Sequence, residues 1–178
     1  MRRVAVFVDG GGIFHVRNAI KQKYGKQLDF EKFCKKIVAD RILIRSYFCS
    51  ALPSQAKEAE SYKKSMQFLD RLDKIPYVQT TRSWLLYPPD GGKPVQKGVD
   101  MKLAMYMLKL AYNDAYDVAI LVCGDSDFEE VVTTVKDMGK QVEYFCCPHV
   151  MHADAISRVS DVVITADMDW FSDCLVDG

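Results

Sequence analysis

The chain has 178 residues, no formal net charge and 49% hydrophobic residues, which is enough to build the core of one ordinary domain. No apolar run approaches the roughly 20 residues of a membrane span, and the apolar stretch near the amino terminus is too short for a signal peptide. We therefore expect one domain over residues 1–178, in the cytoplasm and with no membrane partner. Six cysteines form no Cys-x-x-Cys pair, so reduced core thiols are favoured over disulfides.

Predicted strands and helices alternate along the chain. Apolar, β-branched runs predict strands and apolar residues at helical spacing predict helices. A turn-rich connection over 88–98 separates the third strand from the clearest helix. The alternation predicts a doubly wound α/β fold with a mainly parallel sheet. The predicted order is strand 4–8, helix 13–23, helix 30–40, strand 41–51, helix 53–75, strand 77–87, helix 99–114, strand 117–124, helix 128–138, strand 141–146, helix 153–158 and strand 162–164.

Charge is unevenly distributed along the neutral chain. Residues 1–97 contain 19 Lys and Arg against 9 Asp and Glu, and residues 98–178 contain 5 against 15. This asymmetry favours a polyanionic partner for the first half and a cation site in the second. The alternative is that the basic helices simply expose their charged faces to solvent.

Four aspartates are predicted to meet at one edge of the sheet. Asp9 follows the first strand, Asp125 and Asp127 follow the strand over 117–124, and Asp100 opens the long helix. Ligands of parallel sheets bind beyond the carboxyl ends of the strands, where these acids should converge. Each also has a structural alternative: Asp100 and Asp127 as first-turn acids, and Asp125 as a helix cap in competition with a Ser126 capping box. Asp9 has no evident structural role in the sequence.

Convergent carboxylates need a cation among them. Like charges a few ångströms apart repel and raise each other's pKa values unless a positive charge intervenes. Oxygen ligands suit a hard divalent ion such as Mg²⁺ or Mn²⁺, whose usual chemistry is phosphoryl transfer. We therefore take Asp9, Asp100, Asp125 and Asp127 as candidate metal ligands and catalytic residues.

Several motifs match a known family in order and spacing. VFVDGGGIF, KGVDMKLAMYML, LVCGDSDFEEVVTTVKDMGKQVEYF and SDVVI resemble the NYN domains, LabA-like members of the PIN-like nuclease superfamily. The resemblance spans residues 4–164. It implies a PIN-like, Rossmann-like three-layer sandwich and a metal-dependent ribonuclease in which the same four aspartates match the acids of the family's site.

Three positions qualify the resemblance. The family usually has an asparagine where this chain has Gly12, and often another acid where it has Tyr106. Both departures would weaken a metal site. Asp161 matches a recurrent family acid, for which a structural role is an equal alternative.

Other residues near the acids are candidates for substrate binding. Gly10, Gly11 and Gly12 would let a substrate backbone approach, or would only form the turn after the strand. Ser126 lies between two of the acids, and Lys97 is placed to meet a phosphate beside Asp100. Trp84 suits base stacking next to basic residues, although the apolar pair of Trp84 and Leu86 favours a core position.

Three functions remain open. The first is a Mg²⁺- or Mn²⁺-dependent ribonuclease acting on single-stranded or structured RNA. The second is a catalytically weak or inactive RNA-binding module, and the third is a phosphatase on small esters. Adjacent cysteines in CCPHVMH have poor spacing for zinc, so a surface loop is favoured there. The sequence leaves self-association into a homo-oligomer open.

Overall fold

Over residues 1–177, which the computed structural model describes, a seven-stranded sheet separates two layers of helices. Its strand order is β5-β4-β3-β1-β6-β7-β8, and every pair is parallel except β4 with β5. Two further short strands, β2 and β9, pair antiparallel outside this sheet. The strands are β1 Arg3–Asp9, β2 Gln27–Leu28, β3 Ile42–Leu52, β4 Val78–Leu86, β5 Val95–Lys97, β6 Val118–Val122, β7 Gln141–Cys146, β8 Val162–Thr165 and β9 Leu175–Val176.

Alternate residues of the central strands supply two separate cores. Val4, Val6 and Val8 of β1 pack towards the first three helices, whereas Ala5 and Phe7 pack towards the last three. This period of two is what a strand covered on both faces requires. The predicted three-layer α/β sandwich is therefore confirmed. The helices are α1 Gly10–Tyr24, α2 Phe30–Val38, α3 Ala59–Leu72, α4 Val99–Tyr112, α5 Glu129–Asp137 and α6 Asp154–Val159, with short 3₁₀ helices at Ser126–Phe128 and Asp169–Cys174.

One predicted helix boundary needs correction, and one strand was not predicted. α1 begins at Gly10, not at residue 13, because the Asp9 carboxylate caps its first turn. β5 lies inside the segment that was predicted to be only a turn-rich connection, and it forms the sheet edge by pairing with Trp84–Leu86 of β4. The third predicted strand is thus next to the edge.

Trp84 and Leu86 do not belong to the core. Their exposed fractions are 59% and 49%, so the interpretation that favoured a core position for Trp84 is wrong. Side chains alternate along β4, and Ser83, the residue before Trp84, is the one that is buried. Trp84 lies directly opposite Lys97 in the antiparallel pair.

Asp161 has a structural role at the start of β8. Its carboxylate accepts a hydrogen bond from the Val142 N–H at 2.7 Å and forms an ion pair with the Lys136 ammonium at 3.0 Å. Partial burial raises the pKa of Asp161, but the Val142 hydrogen bond and the Lys136 ammonium together bring it below its ordinary value. These contacts join α5, β7 and β8.

None of the helices within residues 1–177 combines the length and apolar character that crossing a membrane requires.

Candidate functional site

The carboxylates converge where two neighbouring parallel strands end. β1 pairs with β6 from Val4 to Val8, so Asp9 and the segment after Val122 leave the sheet at the same edge. Asp9, Asp100 and Asp125 line one open pocket of about 460 Å³ there. The structure therefore brings three of the four predicted acids together. The remaining lining residues are Gly11, Gly12, His15, Val95, Gln96, Gly124, Val150, Met151 and His152.

Asp9 both caps α1 and faces the pocket. Its two carboxylate oxygens each accept one backbone N–H, from Gly11 and Gly12, at 2.9 Å. This cap gives Asp9 the structural role that the sequence did not reveal. Burial raises the pKa of Asp9 and the nearby Asp125 adds to the rise, while the two N–H donors oppose it. Each oxygen still has a lone pair for another ligand.

Asp100 is held in the first turn of α4. Gly98, with φ of 76°, reverses the chain between β5 and the helix, a backbone conformation that favours glycine. The pKa of Asp100 is raised by burial first, then by the charges of Asp9, Asp125 and Asp127. The four acids are thus close enough to interact, although they come from three separate segments of the chain.

Asp125 and Asp127 have different positions. The Asp125 carboxylate accepts the Asp127 N–H at 3.0 Å and so caps the 3₁₀ turn that leads into α5. Asp125 therefore performs the capping for which Ser126 was the alternative. Ser126 is exposed, and its hydroxyl has no hydrogen bond within the described chain. Asp127 is also exposed and does not line the pocket.

The three glycines after Asp9 are each covered by a different neighbour. A Cβ on Gly10 would lie 2.6 Å from the Ser50 Cβ and 2.8 Å from the Cys49 carbonyl oxygen, so Gly10 lets α1 pack on β3. The Gln96 side chain covers Gly11. A Cβ on Gly12 would lie 2.8 Å from the Met151 sulfur. Gly11 and Gly12 line the pocket, whereas Gly10 is buried beneath it.

The oxygen donors match a hard divalent cation in their chemistry. Carboxylate oxygens are the ligands that Mg²⁺ and Mn²⁺ prefer. The pKa of Asp100 is raised by burial and then by repulsion from the neighbouring acids, and a cation would relieve that repulsion. Their arrangement is not that of a finished site, since within residues 1–177 no three His, Cys, Asp or Glu side chains are grouped to hold a metal ion. The carboxylate oxygens therefore suit a divalent cation in their chemistry, but the side chains would have to move closer together to coordinate it.

Gln96 and Met151 are pocket residues that the sequence did not single out. Gln96 and Met151 cover the glycines, His15 extends from α1, and His152 contacts Asp154 at 2.9 Å. Gln96 lies in the unpredicted strand β5, and Met151 lies in the loop after β7. The sequence favours a satisfied or exposed histidine for His15 and a surface loop for His152, so neither was expected at the pocket.

The two departures from the family pattern have local explanations. The Met151 side chain lies over Gly12, so a larger residue at position 12 would require Met151 to move. The Tyr106 ring stacks on Tyr47, with centroids 4.9 Å apart, and its hydroxyl lies 3.1 Å from that of Thr81. Tyr106 thus packs between α4 and the sheet and does not line the carboxylate pocket.

Residues 3–169 match the family model of the NYN domain. The chain belongs to the NYN domain family. NYN domains are members of the PIN-like superfamily, as the motifs indicated, and the match covers nearly the whole chain. No curated protein matches it.

One solved structure supports the fold of this NYN domain. VPA0982, a protein of unknown function from Vibrio parahaemolyticus RIMD 2210633, has a TM-score of 0.69 and 19% identity, covering 98% of this chain and 96% of that one. Acinetobacter baumannii MurG and Phytolacca americana UGT2, the latter complexed with UDP-2fluoro-glucose and pterostilbene, both have TM-scores of 0.40, with 12% and 15% identity. They cover 93% and 82% of this chain and 42% and 30% of their own. The first likeness shows the fold alone.

Proposed function

We propose that this NYN domain is a Mg²⁺- or Mn²⁺-dependent ribonuclease. The observation that carries the proposal is the convergence of Asp9, Asp100 and Asp125 in one pocket at the carboxyl edge of β1 and β6, with Asp127 within electrostatic range. Burial first, and the neighbouring acids second, raise the pKa values of Asp9 and Asp100, and such shifts in a cleft are typical of a functional site. Stability alone does not require such repulsion.

The charge distribution supports an RNA substrate. The basic half of the chain forms β1, β3, β4 and β5 with α1 to α3, and the acidic half forms β6 to β8 with α4 to α6. The boundary in the sheet runs between β1 and β6, where the pocket opens. A phosphate backbone could therefore contact the basic half while one phosphodiester reaches the acids.

Each acid has a part in this proposal. Asp9 and Asp100 would hold the cation from the strand end and the helix start, and Asp125 and Asp127 would bind it directly or through water. When bound, a divalent cation activates water as a nucleophile and neutralises charge that develops on phosphate oxygens. The N–H donors of Gly11 and Gly12 fix the Asp9 carboxylate. Lys97 and Ser126 remain candidates for contacting the substrate.

Cleavage of a labelled RNA pool tests the proposal. In Mn²⁺ or Mg²⁺ we expect wild type to cleave, and Asp100→Asn to cleave about 100-fold more slowly because one anionic ligand is lost. Asp100 suits the test because its side chain caps nothing. Asp137→Asn, the same change at the exposed far end of α5, should match wild type. Equal rates for Asp100→Asn and wild type, or equal cleavage in chelator, would contradict the proposed site.

The second candidate is an RNA-binding module without hydrolysis. Met151 over Gly12 and the lack of a grouped set of metal ligands within residues 1–177 favour it. RNA binding by a folded wild-type protein that cleaves neither RNA nor DNA in either metal would establish this alternative and reject the nuclease.

Asp100→Asn should also change stability in opposite ways without and with metal. Because folding raises the pKa of Asp100 above its ordinary value of 3.8, ionising it costs stability as the pH rises through that region. In chelator at pH 7 the variant should be more stable than wild type, by less than about 1 kcal/mol after screening by solvent. This advantage should disappear below the ordinary pKa of the carboxyl.

Thermal unfolding with and without Mn²⁺ measures both effects. Mn²⁺ should raise the Tm of wild type and of Asp137→Asn more than that of Asp100→Asn. If Mn²⁺ shifts all three proteins equally, Asp100 does not bind the cation. An unchanged stability in chelator would show that its carboxylate is not under strain from its neighbours.

A further inference from the structure

Trp84 is an exposed indole with a cation directly across the sheet edge. Of its surface, 59% is accessible, and its cross-strand partner is Lys97 of β5. Directly opposed residues of an antiparallel pair have their side chains on the same face, within contact range. Leu86 and Val95, the next pair on that face, are exposed too. The edge therefore presents a flat apolar surface with a lysine beside it.

The positive charge at this edge is free to meet a ligand. Lys97 and Lys93 are exposed and have no ion pair or side-chain hydrogen bond within residues 1–177. By contrast, Arg82 is neutralised by Asp70 and Asp73 at 3.1 and 2.9 Å, and Lys102 donates to the Arg82 carbonyl at 2.8 Å. Lys97 lies in β5 itself, and Lys93 lies in the exposed loop just before that strand.

The edge is continuous with the carboxylate pocket. Val95 and Gln96 line that pocket, Lys97 is the next residue, and Asp100 follows after the Gly98 turn. A ligand chain that leaves the pocket along β5 therefore passes Lys97, which lies opposite Trp84.

We propose that Trp84 and Lys97 form a stacking platform for an unpaired base of a single-stranded nucleic acid whose backbone enters the carboxylate pocket. Aromatic rings beside basic groups bind single strands because every base has a π-face and every linkage has a phosphate. This inference rests on the proposed function, since it concerns the same substrate. The unpaired Lys97 opposite the indole, with Lys93 in the exposed loop that leads into β5, favours a polyanion over an apolar partner surface.

Binding without cleavage tests the platform. The full chain carrying Asp100→Asn is titrated in chelator with a fluorescent oligouridylate of about 12 nucleotides, so that hydrolysis plays no part. Trp84→Ala should weaken the affinity about tenfold, and Trp84→Phe should restore most of it. Tyr112→Ala is the matched control, because Tyr112 is 82% exposed at the distant end of α4, and it should leave the affinity unchanged.

An abasic oligonucleotide of the same length separates stacking from charge. The parent should bind the abasic oligonucleotide about tenfold more weakly than it binds oligouridylate. The parent and Trp84→Ala should bind the abasic oligonucleotide with equal affinity, because it has no base to stack. Lys97→Ala should weaken both ligands and reduce the salt dependence by about 0.7 in the slope of log K against log salt.

Each other outcome contradicts the inference. Equal affinities of the parent and Trp84→Ala for oligouridylate would remove the platform while leaving RNA binding intact. No binding by the parent, either in chelator or in Mn²⁺, would reject both the platform and an RNA substrate. A self-associating parent that becomes monomeric in Trp84→Ala, with unchanged affinity for oligouridylate, would assign this edge to a second copy of the chain.

Discussion

Replacing Gly10 with alanine should lower the free energy of unfolding by about 3 kcal/mol. The added Cβ would lie 2.6 Å from the Ser50 Cβ and 2.8 Å from the Cys49 carbonyl oxygen. These atoms belong to β3, a central strand with parallel neighbours on both sides, so they cannot move aside as the end of a flexible side chain would. Relief requires α1 to shift away from the sheet, which also moves the Asp9 cap.

Urea denaturation measures the effect of Gly10→Ala. Gly92→Ala is the control, because Gly92 lies in an exposed loop where the closest atom to a new Cβ is 3.2 Å away on a side chain. The control should stay within about 0.5 kcal/mol of wild type. Equal stabilities of the two variants would mean that the approach of α1 to β3 is looser than described.

Arg41→Met should cost a similar amount, about 3 kcal/mol. Arg41 and Glu143 form a two-bond ion pair at 2.6 and 3.1 Å, with only 20% and 13% of their side chains exposed. The guanidinium also donates to the carbonyl oxygens of Ile37 and Val38 at the end of α2. Removing Arg41 leaves a largely buried carboxylate without a partner and takes a donor from the Ile37 carbonyl, whereas the Val38 carbonyl keeps the backbone N–H of residue 41 at 3.3 Å.

A double variant distinguishes the stability lost with the Arg41–Glu143 ion pair from the stability lost with the Arg41 hydrogen bonds to α2. Arg41→Met with Glu143→Met should recover much of the loss, since two apolar side chains avoid an uncompensated buried charge. Lys35→Met, which breaks the exposed Lys35 and Glu31 pair on α2, should cost less than about 0.5 kcal/mol. If the double variant is no more stable than Arg41→Met, the α2 carbonyls and not Glu143 account for the loss.

Much of the fold could be predicted because strong local patterns coincide with the tertiary structure. The apolar strand over Val118–Val122 and the stripe of α4 need no long-range information to be recognised. β5 could not be predicted in this way, because three residues between Pro94 and Gly98 carry no period of two. They become a strand only by pairing with β4. The core position predicted for Trp84 is wrong for a related reason. Alternating apolar residues indicate that one face of a strand is apolar, but not whether another element covers that face.

The common edge of the acids could be predicted from the sequence, but their surroundings could not. Parallel strands carry Asp9 and Asp125 to the same edge of the sheet, and the two acids are near each other because β1 and β6 are also neighbours in it, which the sequence does not show. The cap formed by Asp9 was missed because the helix was started after the glycines, although aspartate is a preferred capping residue. Gln96 and Met151 reach the pocket from an edge strand and a loop, whose positions depend on packing across the whole sheet.

The position of Asp100 does not depend on the length of the loop that joins β4 to β5. β4 and β5 are joined by the exposed loop over 87–94, but their pairing fixes Lys97, and the Gly98 turn then fixes the start of α4. Extra residues in that loop would bulge into solvent and leave the register of the strands unchanged. The length and composition of this loop can therefore change without rebuilding the acidic pocket beside it.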